Sequence, residues 1–357
     1  MPAPSEARRT PKSILTRRLA TPVLEIEGLR TYIRQRKALV RAVDGVSLRI
    51  EQGETLGLVG ESGCGKSMTA MSIMKLLPNG GHIAAGSIKL AGQDIVPLDE
   101  DDMRKVRGND VAVIFQDPMT SLNPTMTIGN QIAESLRIHR GWNREQSMSR
   151  AEEVLGVVGM PRPKERLYQY PHQLSGGLRQ RVMIAMALAC EPRLLIADEP
   201  TTALDVTIQA HILTLLDSLK REFKMAVLLI THDMGVIAGR ADRVCVMYAG
   251  KIVEEAPIDD LFARTQHPYT EALLQSIPKP DQDQSEPLYS IPGIPPDLSR
   301  PPAACRFHPR CRYVTEECKQ REPRLDGESS LHVHACYHPV GGGRPSRPVA
   351  EEASVPS

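Results

Sequence analysis

The first stretch whose residue types and spacing could do chemistry is GESGCGKS, residues 60–67. It fits the pattern G-x-x-x-x-G-K-S/T without a mismatch. Glycines at these positions let backbone N–H groups curl around a phosphate, and the helix that follows adds the positive end of its dipole. The lysine is expected to reach the β- and γ-phosphates, and the serine hydroxyl to bind Mg²⁺. The predicted nucleotide-binding residues of this phosphate loop are Gly60, Glu61, Ser62, Gly63, Cys64, Gly65, Lys66, Ser67 and Met68.

A second acidic site follows another apolar run, in RLLIADEP. Asp198 ends that run, where a carboxylate can face Mg²⁺ through water. Glu199 comes next and can act as the general base on an attacking water molecule. An Asp-Glu pair after a strand is weak evidence by itself. Together with the phosphate loop it becomes strong, because the carboxyl ends of parallel strands meet at the same edge of a sheet.

Strand and helix patterns alternate around these two motifs. Residues 23–59 alternate apolar and polar side chains with the period of two that indicates strands, and residues 111–115 form a buried apolar run. Residues 117–172 take helical spacing and predict a helical insertion. From residue 178 to about residue 255, helix and strand alternate. This pattern predicts an α/β fold with a mostly parallel sheet and helices on its faces.

Composition sets the broad class of the protein. The chain has 357 residues, of which 41% are apolar and 24% charged, as in an ordinary globular protein. The longest apolar run, residues 183–190, is too short to span a membrane, and the basic N-terminus lacks the apolar core of a signal peptide. We therefore expect a cytosolic chain. The predicted units are a disordered basic tail at 1–21, a nucleotide-binding domain at 22–265, a C-terminal Cys-rich domain at 266–340 and a disordered tail at 341–357.

A further motif, LSGGLRQR at residues 174–181, resembles the signature of the ATP-binding-cassette (ABC) ATPases. Other motifs of that family follow in order: Gln116 as the Q-loop glutamine, TTALD at 201–205 as the D-loop and His232 as the switch histidine. The resemblance covers roughly residues 22–255. It implies a P-loop NTPase fold with a mostly parallel sheet, an antiparallel β subdomain and a helical insertion at about 117–172.

The same resemblance implies the cofactors ATP and Mg²⁺ and assigns roles to particular residues. The catalytic residues would be Glu199, His232 and Gln116, and the Mg²⁺ ligands would be Ser67 and Gln116. Tyr32 is the candidate for stacking on adenine, although Ile33 fits the position nearly as well. ABC ATPases close each ATP site with a partner chain, so some residues would act on the partner's nucleotide. These are Ser175, Gly176, Gly177 and Asp205.

Segments beyond the core motifs narrow the resemblance to one subfamily. QDPMTSLNPTMTIGNQI, DEPTTALDVTIQAHIL and HPYTEALLQSIP closely resemble the ATP-binding subunits of dipeptide, oligopeptide and nickel importers. This resemblance implies an ATPase that energises import of di- or oligopeptides, peripheral to the cell membrane on its cytoplasmic side. It also implies two transmembrane permease subunits, a second ATPase chain (identical or different) and, indirectly, an extracellular solute-binding protein. Nickel, glutathione or another small solute are the alternative substrates.

The alternative from another class is a non-transport ABC ATPase that acts on DNA or ribosomes. Such proteins carry long coiled-coil insertions, two cassettes in one chain or basic surfaces, and the sequence has none of these features. Its net charge of +1 argues against a phosphate-backbone partner. No nucleic-acid partner is therefore expected.

Four cysteines near the C-terminal end are a separate candidate site: Cys305, Cys311, Cys318 and Cys336. Disulfides are disfavoured because the chain is expected in the cytosol. Structural zinc usually shows a C-x₂₋₄-C chelate, which is absent, although His308, His334 and His338 could substitute. Iron–sulfur clusters tolerate varied cysteine spacings, and some members of the resembling subfamily carry a [4Fe–4S] cluster on matching cysteines. The resemblance thus implies a structural [4Fe–4S] cluster, with Zn²⁺ as the alternative.

Overall fold

The computed structural model describes residues 22–202, 205–277, 289–329 and 331–340. The predicted tails at 1–21 and 341–357 lie outside the described residues, as do Ala203 and Leu204 of TTALD. The strands are β1 (Leu24–Arg34), β2 (Leu39–Ile50), β3 (Thr55–Val59), β4 (Gly81–Leu90), β5 (Gln93–Asp94), β6 (Val111–Ile114), β7 (Leu194–Asp198), β8 (Ala226–Thr231), β9 (Arg243–Tyr248), β10 (Lys251–Pro257), β11 (Asp326–Ser329) and β12 (His332–His334). The helices are α1 (Lys66–Ile73), α2 (Glu100–Val106), α3 (Pro118–Ser121), α4 (Ile128–Arg140), α5 (Arg144–Val157), α6 (Pro163–Arg166), α7 (Gly176–Leu188), α8 (Val206–Phe223), α9 (Met234–Ile237), α10 (Ile258–Ala263), α11 (Pro268–Gln275) and α12 (Glu316–Gln320).

The larger sheet brings the two phosphate-related motifs to one edge. Its strand order is β11-β12-β10-β9-β3-β8-β7-β6, and the five strands from β9 to β6 are parallel. Strands β3, β7 and β8 are buried at every residue and almost wholly apolar, as strands covered on both faces must be. The phosphate loop follows β3 and Asp198 ends β7, so both lie at the carboxyl edge. The predicted α/β fold with a mostly parallel sheet is confirmed.

A second, antiparallel sheet has the order β2-β1-β4-β5. Its strands β1 and β2 show the alternating burial that their period of two predicts, and the buried faces pack under the larger sheet in a shared core. The register of β1 puts Tyr32 between Arg41 of β2 and His82 of β4. This sheet is the antiparallel β subdomain that the family resemblance implies.

Helices α3 to α6 form the predicted helical insertion between β6 and α7. Helices α4 and α5 pack on each other and on α7 through buried residues such as Leu136 and Leu155. Asn143 begins α5 with a reciprocal cap: its side chain accepts from the Gln146 N–H at 2.9 Å, and the Gln146 side chain accepts from its N–H at 3.1 Å. No helix in the described part of the chain is long and apolar enough to cross a membrane.

The C-terminal region is joined to the larger sheet. Strand β12 pairs antiparallel with β10, and β11 pairs with β12, so the sheet is extended at that edge. Phe307 is buried, and its ring packs on Tyr248 of β9 and Tyr269 of α11, with centroid distances of 5.2 and 5.4 Å. A separate Cys-rich domain at 266–340 is therefore not confirmed, because its described residues share the core of the larger sheet.

Candidate nucleotide site

The phosphate loop turns tightly between β3 and α1. Gly60, Gly63 and Gly65 have φ angles of 152°, 77° and 114°, which favour glycine. A Cβ on Gly60 would lie 2.1 Å from the Met247 carbonyl oxygen, and one on Gly65 would lie 2.2 Å from the Ala42 carbonyl oxygen. Because the loop runs against the backbone of β9 and β2, glycine is required at both positions.

Lys66 begins α1, and its side chain turns back into the loop. Its Nζ donates to the carbonyl oxygens of Gly60 at 2.7 Å and Glu61 at 3.0 Å. The side chain is buried, so the ammonium group is held inside the loop, where phosphate oxygens can replace these carbonyl contacts. The Cys64 side chain, in the middle of the loop, is buried, and this burial raises the pKa of its thiol. It is therefore a neutral space-filling group.

Ser67 and Asp198 meet at the carboxyl edge of the sheet. The Ser67 hydroxyl donates to Asp198 Oδ1 at 3.1 Å. Burial raises the pKa of Asp198, and the hydrogen bond from Ser67 opposes this shift. An exposed hydroxyl beside a buried carboxylate supplies the oxygen ligands that Mg²⁺ prefers, and a cation there would favour the charged carboxylate. These two residues therefore fit the Mg²⁺ that the fold implies.

Glu199 is the centre of a hydrogen-bonded group that contains all three predicted catalytic residues. Its Oε1 lies 3.0 Å from His232 Nδ1, and its Oε2 accepts from Gln116 Nε2 at 3.0 Å. Thr202 Oγ1 also donates to Oε2, at 2.9 Å. Sequence reasoning missed Thr202. The sequence does place a threonine three positions after Glu199, and across a turn its hydroxyl can reach the Glu199 carboxylate.

The backbone and charge of Glu199 are both unusual. Its φ of 48° is in the left-handed region, which a non-glycine residue adopts at a cost of order 1–3 kcal/mol. Its N–H donates to the Ile230 carbonyl oxygen at 2.9 Å and holds this conformation. Burial alone would raise the pKa of Glu199, but the hydrogen bonds with His232 and Thr202 lower it. The carboxylate is therefore charged at neutral pH, as a general base must be.

Tyr32, the predicted adenine-stacking residue, is half-buried on β1. Its hydroxyl donates to Asp44 Oδ1 at 2.8 Å, and its ring meets the His82 ring edge-on at 6.4 Å. These contacts fix the direction of the ring. Contact with adenine stays a prediction.

The signature residues do not meet the phosphate loop of their own chain. Ser175 caps α7 at its N-terminus, and in the described residues the segment Ser175–Gly177 forms no hydrogen bond with residues 60–67. Gln180 of α7 is buried and donates to the Pro200 carbonyl oxygen at 2.6 Å, which links this helix to the Asp198–Glu199 segment. Asp205 accepts from the Ile208 N–H at 2.9 Å and caps α8. Ser175 and Gly176 are exposed at this end of α7.

The four C-terminal cysteines line one small cavity of about 10 Å³. Burial raises the pKa of Cys305 to about 11, and the neighbouring Cys318 and Cys311 add to the effect. Among the described residues, however, no group of three or more His, Cys, Asp or Glu side chains is placed to hold a metal ion. Neither the [4Fe–4S] cluster nor the zinc alternative is therefore confirmed, although four thiols around one cavity are the right donors for a cluster.

Two family descriptions match the chain. "ABC transporter" matches residues 43–202, and "Oligopeptide/dipeptide transporter, C-terminal region" matches residues 253–318. The oligopeptide transport ATP-binding protein AppD of Bacillus subtilis is 50% identical over 88% of this chain and 96% of its own length. The dipeptide transport ATP-binding protein DppD of Haemophilus influenzae is 48% identical over 89% of this chain and 96% of its own length.

Solved structures agree with this relationship. The ATP-binding cassette MJ0796, in a dimeric post-hydrolysis state bound to ADP and Pi, is 29% identical and superimposes with a TM-score of 0.59. The match covers 66% of this chain and 98% of the cassette. A structure of the same cassette described as a dimeric bacterial ABC transporter cassette gives the same values.

Proposed function

Because the chain belongs to the oligopeptide/dipeptide group of ABC transporter ATP-binding proteins, we propose that it hydrolyses ATP to energise import of di- or oligopeptides through a membrane permease. One observation carries the enzymatic part: Glu199 is hydrogen-bonded to Gln116 and His232 one residue beyond the Ser67–Asp198 pair. A base, its positioning groups and a Mg²⁺ site thus share one sheet edge. The relatives' names support the peptide substrate.

The phosphate loop would bind the triphosphate. Its N–H groups and the α1 N-terminus face the anion, and Lys66 would leave the Gly60 and Glu61 carbonyl groups to contact the β- and γ-phosphates. Ser67 would hold Mg²⁺, with Asp198 acting through water, and Gln116 would complete the ligand set. The bound Mg²⁺ would neutralise charge on the β- and γ-phosphate oxygens.

Hydrolysis would then depend on Glu199. Its carboxylate takes a proton from water as the water oxygen attacks the γ-phosphorus and the bond to the β–γ bridging oxygen breaks. His232 fixes one carboxylate oxygen, while Gln116 and Thr202 fix the other. His232 is half-exposed, so its ring can also contact the γ-phosphate.

A second ATPase chain would complete the site. Ser175, Gly176 and Gly177 begin α7, and their N–H groups form an anion-binding helix end that this chain's own phosphate loop does not use. The dimeric cassettes among the similar structures support this arrangement. Asp205 would lie in the same interface. Closure on ATP and reopening after hydrolysis would drive transport.

The remaining partners follow from the same proposal. The helical insertion begins directly after Gln116, so movement at the γ-phosphate would reach the insertion and, through it, two permease subunits. The chain would thus lie peripherally on the cytoplasmic side of the cell membrane and depend indirectly on an extracellular solute-binding protein. Nickel, glutathione or another small solute are the alternative cargoes.

We also propose that Cys305, Cys311, Cys318 and Cys336 ligate a [4Fe–4S] cluster, with Zn²⁺ as the alternative. Their position around one cavity supports this proposal. Ligation would draw the four thiolates together and stabilise a segment that has few apolar residues of its own.

The transport proposal is tested in proteoliposomes that contain this chain, its partner ATPase and the permeases, with the binding protein outside. ATP inside the vesicles is expected to drive uptake of a labelled oligopeptide, and Lys66→Ala should abolish it. Uptake of ⁶³Ni²⁺ or labelled glutathione without peptide uptake would replace the peptide assignment. ATP hydrolysis with no uptake of any of these solutes would contradict an importer of this group.

A further inference from the structure

Glu61, the second residue of the phosphate loop, is held by the cysteine segment (residues 305–336). Arg310 donates from Nη1 to Glu61 Oε2 at 2.6 Å and from Nη2 to Oε1 at 2.9 Å. This is a two-pronged guanidinium–carboxylate pair, the geometry that gives such contacts both strength and direction. The Arg310 side chain is 3% exposed and the Glu61 side chain 26%, so the pair is partly shielded from water and salt.

The backbone of Glu61 is held as well. The Tyr269 hydroxyl of α11 accepts from the Glu61 N–H at 2.8 Å. Lys66 donates to the Glu61 carbonyl oxygen from inside the loop. The carboxylate, the N–H and the carbonyl group of Glu61 are therefore all held, the first two by residues that follow β10 in the chain.

The two outer contacts have a rigid support. The Tyr269 side chain is fully buried, and its ring packs 4.6 Å from Tyr248 and 5.4 Å from Phe307. Arg310 lies over the Tyr248 ring at 5.8 Å and donates from Nε to the Pro292 carbonyl oxygen at 2.9 Å. A side chain locked by packing and by a second hydrogen bond can hold a loop in one geometry.

We propose that Arg310 and Tyr269 are positioning residues for the nucleotide site, which set the ATP affinity of the phosphate loop from the C-terminal region. A loop already held in its phosphate-binding conformation loses less conformational freedom when ATP binds. Arg310 also neutralises the Glu61 carboxylate, which would otherwise repel the phosphates. Loss of either contact acts on binding, because neither residue touches Glu199, Gln116 or His232.

The inference rests on the nucleotide site of the proposed function, and the test uses the full chain. ATP Kd is measured with a fluorescent ATP analogue, and KM and kcat by phosphate release. Arg310→Ala is expected to raise Kd and KM roughly tenfold, as loss of a charge-assisted pair predicts, with kcat within about twofold. Arg310→Lys keeps the charge without the fork and should recover part of the affinity.

Two further variants separate positioning from general damage. Tyr269→Phe removes only the hydroxyl that accepts from Glu61, and it should raise Kd by a smaller factor. Arg312→Ala is the control: Arg312 lies in the same segment and pairs with Glu271 at 2.8 Å, away from the phosphate loop. It should leave Kd, KM and kcat unchanged.

The outcomes distinguish this inference from the function on which it rests. Wild-type Kd in both Arg310→Ala and Tyr269→Phe, or equal losses in Arg310→Ala and Arg312→Ala, would overturn it. If Arg310→Ala does not fold, the Kd of Tyr269→Phe decides alone. Lys66→Ala tests the nucleotide site itself, and an unchanged Kd there would overturn the proposed function instead.

Discussion

The nucleotide site and the cysteine segment differ in how far each is assembled without its ligand. At the nucleotide site, Ser67 meets Asp198, and Glu199 meets Gln116 and His232, all within about 3.1 Å. In the cysteine segment four thiols line one cavity, yet no three ligand side chains in the described residues form a metal site. Strand ends fix the first set of residues by backbone geometry, whereas loop side chains form the second, and such sites commonly form with their metal.

The largest loss of activity should come from a substitution in the nucleotide site. Glu199→Gln removes the general base but keeps the size of the side chain, so turnover should fall by roughly 10²- to 10⁴-fold while ATP still binds. The variant should also accumulate as a closed, ATP-bound dimer. Steady-state phosphate release, ATP binding and sizing chromatography measure these three results.

The matched control for that variant lies in the other region. Glu316→Gln changes an exposed carboxylate whose ion pair, within the described part of the chain, is with Lys319 one helical turn away. It should leave turnover unchanged. Near-normal turnover in Glu199→Gln would remove Glu199 from its role.

The next effect concerns a contact between the cysteine segment and the antiparallel sheet. Arg306 of the cysteine segment forms a buried ion pair with Asp44 of β2 and donates to the Ala249 carbonyl oxygen. Arg306→Ala leaves the buried Asp44 carboxylate with the more exposed Arg30 guanidinium at 3.7 Å as its remaining cation, so the free energy of unfolding should fall by about 1.5–3 kcal/mol, as for loss of a hydrogen bond to a charged group. Urea unfolding followed by circular dichroism measures the change. Lys319→Ala, at an exposed pair, should change it by less than about 1 kcal/mol.

Lowering the pH should remove part of the stability that the Arg306–Asp44 ion pair contributes. Burial alone would raise the pKa of Asp44, but hydrogen bonds from Tyr32 and Arg306 lower it. A carboxyl group with a lowered folded-state pKa stabilises the fold fully above its unfolded pKa of about 3.9, and that stability is lost as pH falls through the folded-state value. The difference between wild type and Arg306→Ala should therefore shrink below about pH 4. A difference that does not change with pH would contradict this assignment.

Substitution of the C-terminal cysteines should have the smallest effect on ATP hydrolysis. It should, however, remove the metal entirely. Anaerobically purified protein should be brown, with about four irons per chain and broad absorption near about 400 nm. Cys311→Ser should lose the iron, and Cys190→Ser, at a buried thiol outside the segment, should retain it. Colourless protein with one zinc or no metal would contradict the cluster.

The sequence could predict that the residues of the candidate nucleotide site lie together, because local geometry fixes their positions. In a parallel sheet the carboxyl ends of the strands lie along one edge. A glycine-rich turn, a carboxylate and a histidine that each follow a strand are therefore expected at that edge. Arg310, Tyr269 and Thr202 could not be predicted in the same way. Arg310 is 249 residues from Glu61 in the chain, and nothing in CRFHPRC indicates which surface the segment covers. The left-handed backbone conformation of Glu199 could not be predicted either, because glutamate does not favour it.

The central claim is that the chain hydrolyses ATP at a site that a second chain completes through Ser175. The direct measurement is the rate of phosphate release per chain, for the isolated monomer and for the assembled complex, in wild type and Ser175→Arg. We expect slow hydrolysis by the monomer and a much higher rate in the assembled wild-type complex. Ser175→Arg should bind ATP with normal affinity but fail to activate the partner's site. A monomer that hydrolyses ATP at the full rate of the complex, or an assembled Ser175→Arg complex with normal activity, would contradict the shared site.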